Sequence, residues 1–287
     1  MIEDKRVRPT QTDKKKKSEP KKTQAIIKQN KLNDEAEETN EASIAIEPLL
    51  TSGASEIAVP LSGESIYAFK KYAAILKEWN EKMNLTGIVD DQGIALRHFI
   101  DSLTLVPFIQ DEIQEQGDDT LKLIDVGTGA GFPGIPLKVV VPSLQMTLLD
   151  ALRKRVLFLQ EVYTHLGLEQ IKAVHMRAED AGRSKTHREK YDIATARAVA
   201  ALPVLCELCL PLVKTGGVFM AMKGALDEEL SHSEKAVVAM GATIETVRHF
   251  TLPGSDMQRT IVLIRKIRPT PAKYPRKPGK PEKDPIL

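Results

Sequence analysis

The chain has 287 residues, 42% of them hydrophobic and 28% charged, with a net charge of +2. That is enough for one sizeable core plus appendages, and no apolar run approaches the roughly 20 residues of a membrane span. A net charge so near zero does not by itself demand a nucleic-acid partner.

The charge is segregated. Residues 1–60 hold no aromatic residue; Met1 to Lys31 carries eleven Lys/Arg against four acids, and Leu32 to Pro60 carries seven acids and no base. Such a segment has too little apolar surface to offset ordering entropy, so residues 1–60 are expected to be a disordered charged extension. No apolar stretch follows the basic start, and the acids are numerous, which argues against signal and transit peptides. Ile26, Ile27, Ile44 and Ile46 are candidates for short binding elements, but a solvated tail is the preferred reading. Folded structure should begin near Leu61.

From there Ile66, Phe69, Tyr72, Ala73, Leu76 and Trp79 recur at i, i+3, i+4 intervals, an amphipathic helix. A second helix over Gly93 to Phe108 should end at Pro107, and the two make a small helical element over 61–118. A sheet region over 119–267 follows. Strands at 121–126, 146–149, 171–175, 191–196 and 217–222 alternate with helices at 133–140, 151–166, 201–213 and 227–240. Such alternation implies a doubly wound α/β architecture with a largely parallel sheet. Two closing strands, 243–252 and 260–266, read as an antiparallel hairpin across Pro253 to Asp256. Cys206 and Cys209 form a CxxC with no further ligands at zinc-site spacing, so they are expected to be buried helical thiols in a reduced, cytoplasmic compartment. From Arg265 to Leu287 there are eight Lys/Arg against two acids, with spaced prolines and Tyr274. Residues 268–287 read as a flexible basic arm for phosphates and bases, or equally as a solubilising tail.

The most informative stretch is Leu121 to Gly134. An apolar strand ends in Asp125, and Gly127, Gly129, Gly131 and Gly134 follow. Glycines lacking Cβ let the backbone lie against a bound nucleotide. A second strand ends in Asp150, an acid placed to receive ribose hydroxyls. Two registers coexist: GxGxG from Gly127, and GxGxxG from Gly129, the dinucleotide fingerprint. Pro133 and Pro136 remove amide donors from the second, which favours a looser loop over a pyrophosphate cradle. S-adenosylmethionine fits that loop, with Asp125 near its cationic end and Asp150 on its ribose. An NAD(P)-dependent oxidoreductase and a glycine turn without ligand stay open on these residues alone.

The run Asp125-Val-Gly-Thr-Gly-Ala-Gly-Phe-Pro-Gly-Ile-Pro136 resembles that of the bacterial rRNA small subunit methyltransferase G family, formerly glucose-inhibited division protein B. Trp79-Asn80 with Asn84-Leu85-Thr86, Arg97-His98 with Asp101-Ser102, Leu149-Asp150, Arg177-Ala178-Glu179, Ala196-Arg197-Ala198, Lys223-Gly224 and the Lys-Tyr-Pro-Arg-Lys-Pro-Gly tail extend the match over about residues 62–287. The resemblance implies a Rossmann-like class I S-adenosylmethionine-dependent fold with a seven-stranded, mostly parallel sheet, which the closing hairpin suits. It implies S-adenosyl-L-methionine as cofactor and 16S rRNA in the 30S subunit as partner. The expected product is N7-methylguanine at nucleotide 527 in the usual numbering. Family cofactor contacts fall on Gly127, Phe132, Ala178, Glu179 and Arg197, joining Asp125, Gly129 and Asp150 from the loop reading. A helix cap is the less favoured alternative for Glu179, and Arg197 is readable as a ligand of the cofactor carboxylate or of RNA phosphate.

Guanine N7 has a free lone pair and no proton, so methyl transfer to it needs alignment rather than a general base. Arg97, Lys223 and His98 are therefore expected to orient the guanine or its phosphates, with His98 alternatively a packed helix residue. Arg153 to Arg155 and Arg183 to Arg188 are weak pointers to RNA, and a non-catalytic RNA-binding adaptor would show them too. No metal or membrane partner is expected, and no surplus apolar helix face argues for more than a monomer.

Overall fold

The structure is a computed structural model that describes residues 46–118, 120–226 and 229–287; expectations for residues 1–45 lie outside them. One sheet in the order β3-β2-β1-β4-β5-β7-β6 organises the chain. Its strands are β1 Lys122–Val126, β2 Gln145–Asp150, β3 Ile171–His175, β4 Tyr191–Arg197, β5 Val213–Lys223, β6 Ala242–Thr251 and β7 Gln258–Lys266. β1 to β5 pair in parallel, while β7 runs antiparallel to both β5 and β6. The reversed β7 inserted beside β5 makes this the class I methyltransferase sheet and not the six-stranded parallel dinucleotide sheet.

Side-chain alternation along the strands explains why both faces are covered. Leu123, Ile193, Val218 and Met220 enter one core, and Ile124, Ala194, Phe219 and Ala221 enter the other. The first core packs under α1 (46–56), α2 (Gly63–Met83), α4 (Val106–Gln116), α5 (Gly134–Val140) and α6 (Arg153–His165). Between α2 and α4 lies α3, a continuous helical run of Asp91–Gly93, the wider π-helical Ile94–Ile100, and Asp101–Leu103. The second core packs under α7 (Ala178–Ala181), α8 (Leu202–Cys209) and α9 (Glu229–Ala239). Cys206 and Cys209 are buried free thiols there, and burial pushes both well above the usual thiol range. No helix among the described residues is long and apolar enough to cross a membrane.

Three expectations are corrected. Residues 46–56, ahead of Leu61, are already helical. Ile46, Leu50 and Ala54 repeat every four residues and are all buried, so α1 contributes a narrow apolar stripe to the first core within an otherwise acidic segment. Pro107 does not end a helix; it sits in the first turn of α4, where its missing amide has no intrahelical partner to lose.

The third correction concerns residues 268–287, which form a docked strap instead of a flexible arm. Arg188 donates to the carbonyls of Thr270 (2.6 Å) and Tyr274 (2.8 Å), and Glu189 accepts from the Thr270 amide at 2.7 Å. Arg276 meets buried Glu207 on α8 through Nη2 at 2.6 Å and Nε at 3.0 Å. The Gly279 amide donates to Glu179 Oε1 at 2.8 Å. Arg276 in the strap therefore has a buried partner that composition alone could not reveal.

Candidate functional site

The tips of β1 and β2 are stitched together by the glycine loop. Asp125 is fully buried, and its Oδ2 accepts from the Thr128 hydroxyl (2.6 Å) and the Gly134 amide (2.9 Å). The Gly127 and Thr128 amides both donate to the Leu149 carbonyl, at 2.8 and 3.1 Å. Asp150 accepts from the Gly129 amide at 3.0 Å and from the Leu152 amide at 2.8 Å, with Arg155 3.5 Å away. The four loop candidates Asp125, Gly127, Gly129 and Asp150 thus form one cluster at the carboxyl edge of the sheet, where ligands bind in open α/β folds.

Gly131 tolerates no side chain. Its φ is +93°, and a Cβ would collide with the Tyr72 hydroxyl and lie 2.7 Å from Ile135 Cδ1. That hydroxyl donates to the Ala130 carbonyl, so α2 holds the loop directly. Gly131→Ala is expected to cost about 3 kcal/mol, from strained backbone plus overpacking, read as a lowered melting temperature.

Phe132 lies within an aromatic stack. Its ring is 4.4 Å from His98 and 5.3 Å from Tyr72, centroid to centroid, at 12° and 19°. The Arg197 guanidinium lies 5.2 Å from the same centroid. His98 Nε2 pairs with the Thr86 hydroxyl at 2.9 Å, and Nδ1 lies 3.5 Å from Arg197 Nη2. Thr86 is itself fixed by Asn80 Oδ1, which accepts from its amide at 2.8 Å. The Asn80 and Asn84-Leu85-Thr86 motifs therefore orient the histidine. Burial, then Arg197 and Arg97, lower the His98 pKa to about 3, so the ring is neutral at ordinary pH with both nitrogens engaged.

Sequence reasoning missed the hub of this region. Asp101, buried on α3, accepts from Arg197 Nη1 on Oδ2 and from Arg259 Nε on Oδ1, each at 2.8 Å. Asp101 stood in the quoted Arg97-His98 motif, but Arg259 is 158 residues away on β7 and carried no local signal. A cavity of about 280 Å3 opens beside them, lined by Arg97, Arg197, Lys223 and Arg259 among others. Arg197 Nη1 also donates to the Arg97 carbonyl at 3.1 Å. Lys223 is tied to the Ala200 carbonyl and Glu229 Oε1, both at 3.0 Å, whereas Arg97 is exposed and its side chain has no ion pair among the described residues. Ala178 and Glu179 stand apart, after β3, where Glu179 receives the strap.

Among the described residues, Asp125 Oδ1 is the buried side-chain polar atom without a hydrogen-bond partner. Burial raises its carboxyl from 3.8 to about 6, against the lowering effects of Thr128 and Gly134. An unpaired buried carboxylate oxygen is an unmet demand for a cation, which suits the ammonium of an amino-acid-bearing cofactor.

A sheet with one reversed strand, closed at its carboxyl edge by a glycine loop between two acids, defines a methyltransferase of class I. The chain belongs to the rRNA small subunit methyltransferase G family, whose model matches residues 65–262. It is 53% identical over 247 residues to the ribosomal RNA small subunit methyltransferase G of Acetivibrio thermocellus, covering 86% of this chain and 99% of that protein. It is 48% identical to the protein of that name from Alkaliphilus metalliredigens, covering 83% and 98%, and 47% identical to that from Geobacillus thermodenitrificans, covering 80% and 95%. Family membership sets aside the oxidoreductase alternative.

Proposed function

We propose that this protein methylates N7 of a guanine in 16S rRNA, nucleotide 527 in the usual numbering, using S-adenosyl-L-methionine, and that it works in the cytoplasm on the small ribosomal subunit. The observation that carries the choice of acceptor atom is the absence of a free proton acceptor around the cavity, among the described residues. Both His98 nitrogens are engaged, Asp101 is shared by two arginines, and Glu229 is paired with Lys223. An acceptor that must lose a proton would find no free base among the described residues here, while guanine N7 needs none.

The cofactor supplies an electrophilic methyl on a sulfonium. Asp125 Oδ1 would receive its ammonium, Asp150 its ribose, and the loop from Gly127 to Phe132 its backbone, with Ala178 and Glu179 near its base. Arg197 would hold its carboxylate, oriented by Asp101 and by stacking on Phe132. His98 and Lys223 shape the wall of the acceptor cavity through their fixed hydrogen bonds, and Arg97 reaches out to the acceptor strand.

The test is methyl transfer from labelled S-adenosylmethionine to 30S subunits and 16S rRNA from a strain lacking this modification. Chain cleavage at N7-methylguanine maps the product. Label at one guanine of the deficient RNA, and none on wild-type subunits, is the expected result; label elsewhere, or none, would refute the assignment. In the same assay Arg97→Ala should lower kcat/KM by about 10–100-fold, the worth of a charge-assisted contact, with S-adenosylhomocysteine affinity unchanged. Loss of that affinity would move Arg97 to the cofactor side.

A further inference from the structure

Four cations line the acceptor cavity, and their partners divide them. Lys223 has its own carboxylate in Glu229. Among the described residues, the three guanidiniums of Arg97, Arg197 and Arg259 face a single one, Asp101. Arg197 directs three of its donors to Asp101, the Arg97 carbonyl and His98, lies over Phe132, and keeps the others for the proposed cofactor carboxylate. Arg259 is held at three points: Nε on Asp101, Nη1 on the Gln258 carbonyl at 3.1 Å, and Nη2 toward Met257 Sδ at 3.7 Å. A guanidinium has five N–H groups, so Arg259 retains donors while its position is fixed. Arg97, at the rim on the π-helical stretch of α3, keeps its whole fork free of the described residues.

An excess of guanidinium charge does not suit the reacting base. On the reading that guanine N7 is the acceptor, the base becomes cationic as the methyl arrives, and a guanidinium against the ring would oppose that. The excess suits an anion that offers two oxygens to a planar guanidinium, which in an RNA strand is the backbone phosphodiester. We propose that Arg97 and Arg259 form a two-point anchor for a phosphate of the acceptor strand. Arg259 is the rigid point, and Asp101 keeps it from competing for the groups that Arg197 serves. The anchor rests on the rRNA reading above.

Salt dependence separates an anchor from a brace, because each lost phosphate contact releases fewer counterions. Methyl transfer to 16S rRNA would be measured across a potassium chloride series for the wild type, Arg97→Ala, Arg259→Gln and Arg259→Lys. S-adenosylhomocysteine affinity and melting temperature would be followed in parallel. Arg259→Gln keeps a donor for Asp101 and removes the charge; Arg259→Lys keeps the charge. For Arg97→Ala and Arg259→Gln alike, the slope of log kcat/KM against log salt should flatten by about 0.7. At low salt kcat/KM should fall about tenfold or more, through KM, with cofactor affinity within about twofold of the wild type. Arg259→Lys should recover the slope. A wild-type slope in Arg259→Gln, with activity falling only as far as melting temperature does, would overturn the anchor and leave Arg259 a brace for Asp101. No transfer to RNA by the wild type would instead sink the rRNA reading on which the anchor stands.

Discussion

Asp125→Ala is expected to weaken S-adenosylhomocysteine binding by roughly 1,000-fold. The side chain does two jobs. Oδ2 holds the Thr128 hydroxyl and the Gly134 amide, and Oδ1 is the buried oxygen left for a ligand cation. Two ordinary hydrogen bonds at about 1 kcal/mol each, plus one charge-assisted contact at about 1.5–3 kcal/mol, sum to about three factors of ten. Asp125→Asn keeps an acceptor for the loop but drops the charge, and should lose about 10–100-fold. Because burial lifts the carboxyl to about 6, unliganded protein carries a proton there below that pH. Affinity for a ligand whose ammonium meets Asp125 should therefore be flat above about pH 6 and fall about tenfold per unit below it; Asp125→Asn should abolish that limb. The stability term has the opposite sign. A folded-state value raised above 3.8 contributes stability that is complete below about 3.8 and lost as pH rises through about 6. Calorimetric titration across pH reads the affinities, and unchanged binding in Asp125→Ala would remove Asp125 from the cofactor site.

Arg276→Met should lower the melting temperature by about 10 °C. Glu207 is 1% exposed and accepts from the Arg276 amide, Nε and Nη2. Removing the guanidinium leaves a buried carboxylate with one backbone donor, a loss of about 3–5 kcal/mol, at about 2–4 °C per kcal/mol for a domain of this size. The double variant Glu207→Leu with Arg276→Met removes the stranded charge and should recover most of the loss. If the single variant melts like the wild type, the strap contributes no stability through this pair. The strap also reaches Glu179, so Arg276→Met should loosen the far side of the proposed cofactor site, seen as faster amide exchange at Gly279.

Much of the molecule was legible from local pattern. The alternation of strands and helices, the glycine loop between Asp125 and Asp150, and the closing hairpin are all carried by residues close in sequence. Hydrophobic period and glycine placement report backbone conformation within a few residues, and that is enough to identify a parallel sheet and its ligand edge. α1 escaped because three spaced apolar residues within an acidic segment are too few to register as a helix until a core surface meets them. Pro107 was read as a stop when it was a start, since proline is compatible with either boundary of a helix.

The functional reading shows the same division. The residue types at the site, a cofactor loop with acids and a set of candidate cations, follow from the linear motifs. Which cations are free does not. Lys223 and Arg97 look alike in sequence, yet one is neutralised by Glu229 and the other stands exposed at the cavity rim. Arg276, read within a flexible basic arm or solubilising tail, and Arg188, read as a weak pointer to RNA, prove to be internal ties. Arg259 was indistinguishable from any strand arginine until β7 brought it to Asp101. The sequence by itself therefore determined the class of sheet, the loop and the inventory of charged groups, because those depend on neighbours along the chain. Only the tertiary structure decided which charges cancel and which remain to meet a substrate, because an ion pair depends on distance in space between residues that the chain keeps far apart.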